Sequence, residues 1–568
     1  MNRSYRVIFN HTTGVYQCVS EYAKAKGKSK SVKAAVMAIA LVSGVAGATD
    51  YTADDSVMSI MNESHTVSNG ATLTILRRIA YVEDNSTVNL SENATLTACC
   101  DFQMDKNATI NLDNAHLNVN TKGEGDSAQI AIDGMAKITA TNQSTIKTTG
   151  AFLATNANSK AVVTLDNSTF DSKQTSAGYQ GISVGLNGTG ELTLRNNAKV
   201  ISDTLTINGN NSFVDTDNSS IDVGGVIRIG GKGQGSLTAK NSTITANSAG
   251  YRVKYTAIAV EENSTGVLTA DNTTLSNGGA GLTIGGKGNG TATLTNKSDF
   301  KDIAEVHIAD NAGSQGILSL DDSSLTTKNY IAVGVSGKGE LNANKSTIKT
   351  DNSIRIAYDD SADGSQLTAT DSTLQVGRHL LVGEGGDGIL TTNNSKLIGA
   401  GSSALAVGVT STGNGTLIAD NTSTTGINEL VIGLNGKGVA TLSNNSLFDG
   451  VTKVRVGANA NSTGALTIQD GSNLNAEQVV IGSEGKGIVT VDNATLTTKS
   501  VVLGEKDTGA GTLTLQNNAV LSTESITNPN ANSTAKVTID NAKIHLINTS
   551  AVAEDTYLAV LTITTALS

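Results

Sequence analysis

Short apolar runs recur along this chain at a nearly constant spacing. The stretch 184–194 (VGLNGTGELTL) reappears at 432–442 as IGLNGKGVATL. Fourteen such units open between positions 184 and 503. Their thirteen spacings run from 22 to 31 residues, and all but one lie between 22 and 26. A fixed period in this range indicates a solenoid or array built from one repeated structural unit.

Each unit predicts three short strands separated by turns. An apolar run ends in an Ile/Val-Gly step, a Gly-rich turn follows, and a Leu-Thr-Leu type run then alternates apolar and polar residues. Asn or Asp comes next, because these residues tolerate left-handed backbone and hydrogen-bond their own turn. A third apolar run completes the unit. Stacked units would align these side chains as turn ladders, expected at Asn196, Asn241, Asn272, Asn296, Asn394, Asn421, Asn444, Asn493 and Asn517.

Three strands per 24 residues predict an all-β fold, a parallel β-helix in which one coil is one repeat. A single coil cannot bury its inner face, whereas stacked coils build one continuous thin core. Weaker copies of the pattern place the β-helix at about residues 70–546, or about 20 coils. A propeller blade needs about 40 to 50 residues, and a sandwich array would show longer units and buried aromatics, so both are disfavoured.

The N-terminus predicts export. An apolar segment at residues 34–45 follows five lysines, and about a dozen apolar residues are too few to span a bilayer. Ala46 and Ala48 form a small-x-small cleavage site, so signal peptidase is expected to leave Thr49 as the first residue. The predicted organisation is an extended signal peptide at 1–48, irregular β-helix coils at 49–180, regular coils at 181–546 and a C-terminal segment at 547–568.

The residues ahead of the lysines resemble a segment found in a known protein family. Residues 5–10 (YRVIFN), 19–21 (VSE) and 27–29 (GKS) resemble the extended signal peptide region of type V secretion proteins, which are the autotransporters and two-partner exoproteins of Gram-negative bacteria. Phe9 and Tyr22 depart from that pattern, in which Trp and Leu or Thr are common. The alternative is a long, ordinary signal peptide.

The repeats at about 180–525 also resemble the passenger-associated repeats of autotransporters, in which Gly-x-Gly-x-Leu-Thr-φ-x-Asn recurs (φ is apolar). This resemblance implies a right-handed β-helix passenger, exported through the periplasm and displayed on, or released from, the cell surface. The implied partners are the Sec translocon, signal peptidase and an outer-membrane translocator barrel. The sequence of residues 547–568 does not predict a barrel. The barrel is therefore expected to be missing here or supplied in trans.

Charge and composition narrow the class further. Residues 1–48 hold seven of the 40 basic and one of the 51 acidic side chains, so the remainder has 33 basic and 50 acidic ones, about −17 net. This argues against nucleic acid as a partner, since phosphate binding needs clustered Lys and Arg. Beyond the signal, only Cys99 and Cys100 remain. A vicinal disulfide, a reactive pair and two small buried residues are the three interpretations.

Catalytic motifs are nearly absent. Residues 125–128 (GDSA) resemble the motif around the nucleophilic serine of secreted serine proteases. They lack the Gly that follows in that motif, so a surface turn is favoured. Residues 383–388 (GEGGDG) lack the nonapeptide period of calcium-binding repeats and are also expected to be a turn. The histidines have no metal-ligand spacing: His65, His116, His307, His379 and His545. No enzyme activity, cofactor or metal is expected.

The leading functional hypothesis is a surface or secreted passenger that mediates adhesion, aggregation or biofilm contact, because a long regular rod suits multivalent weak binding. Host-cell or bacterial surface receptors are the expected ligands, of unknown identity. One alternative is a stalk carrying an enzyme or toxin within residues 49–180. Another is a truncated, non-functional remnant of an autotransporter.

Overall fold

The computed structural model describes residues 5–10, 15–20, 48–119, 129–173, 181–209, 211–247 and 255–547. The chain divides into two units, Met1–Val45 and Ala46–Ser568. In the first unit, strands Tyr5–Asn10 and Val15–Ser20 pair antiparallel. In the second unit, every regular element of the described residues is a strand, and the strands stack in parallel coils of roughly 24 residues.

Each coil has three faces, and the first face carries the Leu-Thr-Leu type run. Among the described residues it holds 21 strands, and the strands of neighbouring coils pair in parallel. These strands are Ala48–Tyr51, Ser64–Val67, Thr87–Ser91, Thr109–Asp113, Lys137–Thr141, Lys160–Asp166, Thr189–Arg195, Ser212–Asp217, Gln234–Lys240, Thr265–Asp271, Asn289–Thr295, Gln315–Asp321, Lys338–Asn344, Ser365–Thr370, Asp387–Asn393, Asn414–Asp420, Lys437–Ser443, Thr463–Gln469, Lys486–Asp492, Ala510–Gln516 and Thr534–Asp540.

The second face follows the Asn corner, and the third face ends in the Ile/Val-Gly step. Strands confined to the second face are Asp55–Val57, Thr72–Ile75, Thr95–Ala98, His116–Val119, Thr145–Lys147, Thr169–Ser172, Lys199–Ser202, Ser220–Val223, Thr243–Ala246, Ser324–Thr327, Thr347–Thr350, Thr373–Val376, Val520–Thr523 and Lys543–Leu546. Strands confined to the third face are Ile60–Met61, Ile79–Glu83, Asp101–Met104, Gln129–Ile132, Gly150–Leu153, Ile182–Val184, Leu205–Ile207, Ile227–Ile229, Tyr255–Ile258, Ile331–Val333, Ile354–Ile356, His379–Val382 and Ser525–Thr527.

In seven coils the second and third faces form one continuous strand. These strands are Thr274–Ile284, Asp299–Ile308, Lys396–Val407, Ser423–Ile432, Leu447–Val456, Asn473–Ile481 and Thr495–Leu503. The expectation of three separate strands per coil is wrong there. Several of these strands carry register shifts, as between Ser276 and Ala280, so a β-bulge bends the strand without ending it. Positive φ angles at Gly278 and Gly279 allow the bend.

The core is one apolar column running through the stacked coils. Alternate residues of every strand point inward, and four phenylalanines are the largest fully buried side chains: Phe102, Phe170, Phe300 and Phe448. Fully burying one such side chain stabilises the fold by about 1.5–3 kcal/mol. The all-β, parallel β-helix class predicted from the sequence is confirmed.

Glycine defines the corner between the third and first faces. A column of glycines lies in register there, including Gly438, Gly464 and Gly487. A Cβ on Gly464 would lie 2.1 Å from the Ile432 carbonyl oxygen and 2.6 Å from the Gly457 nitrogen. The repeated Gly-x-Gly motif therefore reflects close backbone packing between neighbouring coils.

The stacked strands begin upstream of the predicted position 70. Strand Ala48–Tyr51 already pairs with Ser64–Val67 on the first face. His65 occupies the inward position of the second strand and is 3% exposed, stacked on Tyr51 at 5.5 Å between ring centroids. A histidine in the core column does not register as an apolar residue, so the apolar pattern starts only at about residue 70, although irregular coils are predicted for residues 49–180.

Candidate binding surface

All nine predicted ladder asparagines lie at the corner that follows a first-face strand. Each has left-handed backbone, with φ between 44° and 54°. Asn272 Nδ2 donates to Asn241 Oδ1 at 2.8 Å, and Asn421 Nδ2 donates to Asn394 Oδ1 at 3.0 Å. The side chains of Asn196, Asn296, Asn394 and Asn517 donate to aspartates of the preceding coil at 2.5–2.8 Å. These contacts give the asparagines a structural role in holding coils together.

A second ladder, of buried hydroxyls, lies beside the asparagines and escaped sequence reasoning. The Ser242 N–H donates to Thr273 Oγ1 at 3.4 Å, and the Thr273 N–H donates to Ser298 Oγ at 3.1 Å. Ser298 Oγ in turn donates to the Thr295 carbonyl at 2.8 Å. The sequence feature that could have revealed this ladder is the Ser or Thr that recurs one or two positions after the corner Asn. These hydroxyls satisfy backbone groups and are not available to a ligand.

The predicted cleavage residues lie at the start of the solenoid. Ala46 is outside the described residues. Ala48 begins the first strand, and Thr49 is exposed and pairs in register with His65. Cleavage after Ala48 stays a prediction, to be checked by N-terminal sequencing of exported material, which is expected to begin at Thr49.

The other candidates for chemistry lie apart from one another in the part of the chain that the structure describes. Within the residues that the structure describes, no group of three or more His, Cys, Asp or Glu side chains is placed to hold a metal ion. Residues 125–128 lie outside the described part. Residues 383–386 form the corner after a third-face strand, and residues 387 and 388 begin the next first-face strand. Cys99 and Cys100 are half-buried, and Cys99 Sγ lies 3.7 Å from the Arg77 carbonyl oxygen.

The outward columns of the first face are uniform in composition between residues 387 and 516. Over six coils one outward column reads Ile389, Thr416, Val439, Ala465, Ile488 and Thr512. The next outward column reads Thr391, Ile418, Thr441, Thr467, Thr490 and Thr514. Val439 is 48% exposed and Ile418 41%. These are the residues that strand propensity favours on any exposed sheet.

The third face differs because its middle outward column is buried. Val431 points away from the core between the inward residues Leu430 and Ile432, yet it is 2% exposed, and Ala406 in the next coil is 4% exposed. Ala458, which follows the corner glycine Gly457, belongs to the same buried cluster. The half-buried Leu381, Val409 and Leu434 complete this apolar cluster. We call this strip the third-face groove.

An aromatic stack lies along the groove on the N-terminal side of the apolar cluster. His307 lies 5.5 Å from the ring centroids of both Tyr255 and Tyr330. Its Nε2 contacts the Tyr330 hydroxyl at 2.9 Å, and its Nδ1 contacts Asp310 Oδ1 at 2.8 Å. Tyr255 donates to Glu305. Burial raises the pKa of the Tyr255 and Tyr330 hydroxyls above their ordinary value, so both stay protonated donors at neutral pH.

Arg355 joins the aromatic stack to the apolar cluster. Its guanidinium carbon lies 4.2 Å from the Tyr358 ring centroid and 5.9 Å from that of Tyr330. Its Nε and Nη2 donate to the two carboxylate oxygens of Glu384 at 2.8 and 2.6 Å. Burial alone would lower the pKa of Arg355, but this hydrogen bonding and charge outweigh it and raise the pKa.

A second arginine pair closes the other end of the apolar cluster. Arg455 Nε donates to Glu429 Oε1 at 2.8 Å, and Arg455 Nη2 forms an ion pair with the same oxygen at 2.7 Å. His379 lies on the same side of the groove, and its Nδ1 is buried without a hydrogen-bond partner. Burial, together with the nearby charge of Arg378, lowers the pKa of His379, so its ring is neutral at pH 7. The groove therefore combines an apolar floor with fixed polar groups.

Comparison with known proteins identifies the N-terminus. Residues 1–49 match the family model described as the extended signal peptide of the type V secretion system. No curated protein and no solved structure matches the chain. No helix among the described residues is long and apolar enough to cross a bilayer.

The resemblance read from the first 29 residues is thereby confirmed. A type V signal implies passage through the Sec translocon, processing by signal peptidase and an outer-membrane translocator. The signal and the stacked coils together support export to the cell surface or the extracellular space. The signal match and the β-solenoid both fit an autotransporter passenger.

Proposed function

We propose that this passenger is a cell-surface adhesin or an aggregation and biofilm factor. The observation that carries the proposal is the third-face groove, where the half-buried Leu381, Val409 and Leu434 lie on successive coils. A ligand lying along such a strip makes one small set of contacts per coil. Weak contacts of this kind add up by multivalency when many copies are displayed on one cell.

We further propose that binding, and not catalysis, is the role of the N-terminal coils. The described residues between 49 and 173 continue the same stacked strands, as where Thr87–Ser91 pairs with Thr109–Asp113 on the first face. The strand pairing runs on into the later coils through Lys160–Asp166 and Thr189–Arg195. This continuity favours one long binding rod over a stalk with a separate enzyme at its end.

Display of the chain on a non-adherent Gram-negative host tests the proposal. Residues 1–568 would be fused ahead of a heterologous outer-membrane translocator, and cells would be compared with cells displaying the translocator alone. Surface labelling establishes equal display. Increased autoaggregation, biofilm mass or attachment to host-cell monolayers is expected. Equal behaviour of the two strains in all three assays would contradict the proposal.

A further inference from the structure

We propose that a cleft on the outer surface of the first face, around Ser319 and Asn342, binds a small neutral saccharide. The cleft has a volume of about 360 Å³ and spans four stacked coils. Small-molecule sites commonly occupy about 300–1,000 Å³, so the cleft is large enough for such a ligand. It lies on a different face from the third-face groove, and binding here goes beyond the proposed adhesin function.

Two outward columns of the first face form the walls of the cleft. One wall consists of four short polar side chains that lie in register on successive coils: Thr293, Ser319, Asn342 and Thr368. The other wall, two positions farther along each strand, consists of Asp321, Asn344 and Thr370. Between the walls, Leu320 and Ala343 point into the core and are 2% and 4% exposed. The floor of the cleft is therefore strand backbone.

Asn342 differs from the residues that its column usually holds. In the coils between residues 387 and 516 this column holds only Thr and Ile, and Asn is depleted in strands. In an earlier part of the column, Asn111 Nδ2 donates to Asn89 Oδ1 at 2.9 Å. Asn342 has a serine and a threonine as neighbours instead, and within the described residues its amide makes no hydrogen bond. Its donor and acceptor are both available to a ligand.

Asp321 is the charged residue that lines the cleft. Its Oδ1 accepts a hydrogen bond from Asn344 Nδ2 at 2.7 Å, which holds the carboxylate in place. Elsewhere in the described part of the chain its side chain has no ion pair, so Oδ2 can accept a hydrogen bond from a ligand hydroxyl. Such a bond to an ionised acceptor is stronger than one between neutral groups. The same carboxylate repels an anionic ligand.

The charges around the cleft nearly cancel. The charged residues that flank its strands along the chain are of both signs: Lys297, Asp322, Lys338, Glu340, Lys345 and Asp371. They are three basic and three acidic residues, so adding Asp321 gives a local net charge of −1. A phosphate or sulfate would need Lys or Arg directed at it, and no such residue lines the cleft. The charges therefore favour a neutral ligand.

The backbone and the side chains of the cleft favour a saccharide over a peptide. Strands Gln315–Asp321 and Lys338–Asn344 pair in parallel on both sides, whereas a peptide that extends a sheet needs a free edge. A saccharide binds through hydroxyls that both donate and accept. The Asn342 amide and the Asp321 carboxylate offer matching groups from opposite walls. The methyl groups of the wall threonines can contact the C–H groups of a sugar ring.

Two substitutions test the site with a residue that its own column already uses. Ser319→Thr adds a methyl group to the wall, and Asn342→Thr removes the free amide. Asn473→Thr makes the second change at an outward position of the second face and is the control. The exported chain and the three variants would be titrated calorimetrically with glucose, galactose, mannose, N-acetylglucosamine, maltose, cellobiose and lactose. Glucosamine and galacturonic acid would serve as charged probes, and circular dichroism would verify folding.

The expected result is binding of at least one neutral saccharide, weakened about tenfold by each cleft variant and less than about twofold by Asn473→Thr. Binding of none of the neutral saccharides, binding of the charged probes alone, or equal affinities in the wild type and both cleft variants would each overturn the proposal. An equal loss in Asn473→Thr would also overturn it. Should one cleft variant fail to fold, the other decides. Because purified protein is used, the outcome does not depend on whether displaying cells adhere.

Discussion

The first and third faces of the solenoid are built from the same repeat, yet their outer surfaces differ. On the first face, the outward residues Val439 and Ile488 are 48% and 37% exposed, as expected for a flat sheet. On the third face, the outward residues Val431 and Val480 are 2% and 0% exposed. The difference arises beyond the corner glycines, where residues such as Ala458 share one buried cluster with Val431.

The comparison shows where a repeat protein is free to differ from coil to coil. Inward columns and corner residues are fixed by stacking, because each coil must fit the next. Between residues 387 and 516 the outward columns of the first face are filled by Thr, Val and Ile, which suit any exposed strand. The third face instead carries Tyr330, Arg355, Leu381 and Glu384, a combination that strand propensity does not explain. Outside the cleft around Asn342, coil-specific chemistry is therefore concentrated on the third face.

The largest expected effect comes from the corner that both faces share. Gly464→Ala would place a Cβ 2.1 Å from the Ile432 carbonyl oxygen, so neighbouring coils must separate. Overpacking against backbone costs about 3 kcal/mol. Hydrogen exchange of amides at 430–470 measures the loss of local stability.

Gly313→Ala is the matched control. Gly313 has φ 80° and no atom within 4 Å of a new Cβ. Its cost is limited to the left-handed backbone, about 1–2 kcal/mol. If the amides of the Gly464→Ala variant are protected from hydrogen exchange as well as those of Gly313→Ala, the corner does not set the packing of the two faces.

The next effect separates the two faces directly. Val431→Asp would bury a carboxylate in the groove, at a cost of about 3 kcal/mol. Val439→Asp leaves the carboxylate in solvent and costs about 1 kcal/mol, from strand propensity alone. Urea denaturation followed by tyrosine fluorescence and by hydrogen exchange compares the two variants. Equal losses would mean that the third-face groove is as open to solvent as the first face.

A smaller effect is expected from the charge pair at the groove. Glu384→Gln removes the carboxylate that holds Arg355, whose side chain is 27% exposed. Because solvent screens a half-buried pair, the expected loss is about 1 kcal/mol, and it should shrink at 1 M salt. Glu340→Gln on the first face is the control and is expected to change stability by less than about 0.5 kcal/mol. A salt-independent loss in Glu384→Gln would contradict an electrostatic role.

The smallest expected effect depends on pH. Burial lowers the pKa of His379, so the unfolded chain binds its proton more readily than the folded chain. The stabilisation that the neutral ring provides is fully present above about pH 6.5, which is the pKa of a histidine in the unfolded chain. It is lost as the pH falls toward the lower pKa of His379 in the folded chain. His379→Gln is expected to flatten the loss of stability between pH 7 and pH 5. His545→Gln at an exposed position is the control, and an unchanged slope in His379→Gln would refute the assignment.

The sequence alone was enough to predict the stacked coils and their corners. Inward Ile, Val and Leu recur with period two, and the corner Asn recurs once per coil, so both patterns are visible without coordinates. The apolar pattern begins only at about residue 70, because His65 occupies a core position that usually holds an apolar residue, whereas the predicted region of irregular coils begins at residue 49. Continuous strands such as Leu447–Val456 were missed because a bulge leaves no turn residue of the expected kind.

The third-face groove was not predictable from the pattern. Val431 and Val439 are the same residue type at outward positions of neighbouring strands, and only the cluster that Val431 forms with residues such as Ala458 makes one buried and the other exposed. Residues of the aromatic stack come from coils more than 20 positions apart in the chain, so their side chains meet only after stacking. Stacking geometry, and not local sequence, creates the candidate site.

Attachment of cells displaying the wild-type chain, Val409→Lys or Val439→Lys tests the central claim most directly. Equal surface display would be verified by labelling, and attachment or aggregation would be measured under the condition in which wild-type cells adhere. The account predicts that Val409→Lys reduces adhesion about tenfold, whereas Val439→Lys adheres as the wild type does. Loss of adhesion in Val439→Lys with normal adhesion in Val409→Lys would place the binding surface on the first face and contradict the account.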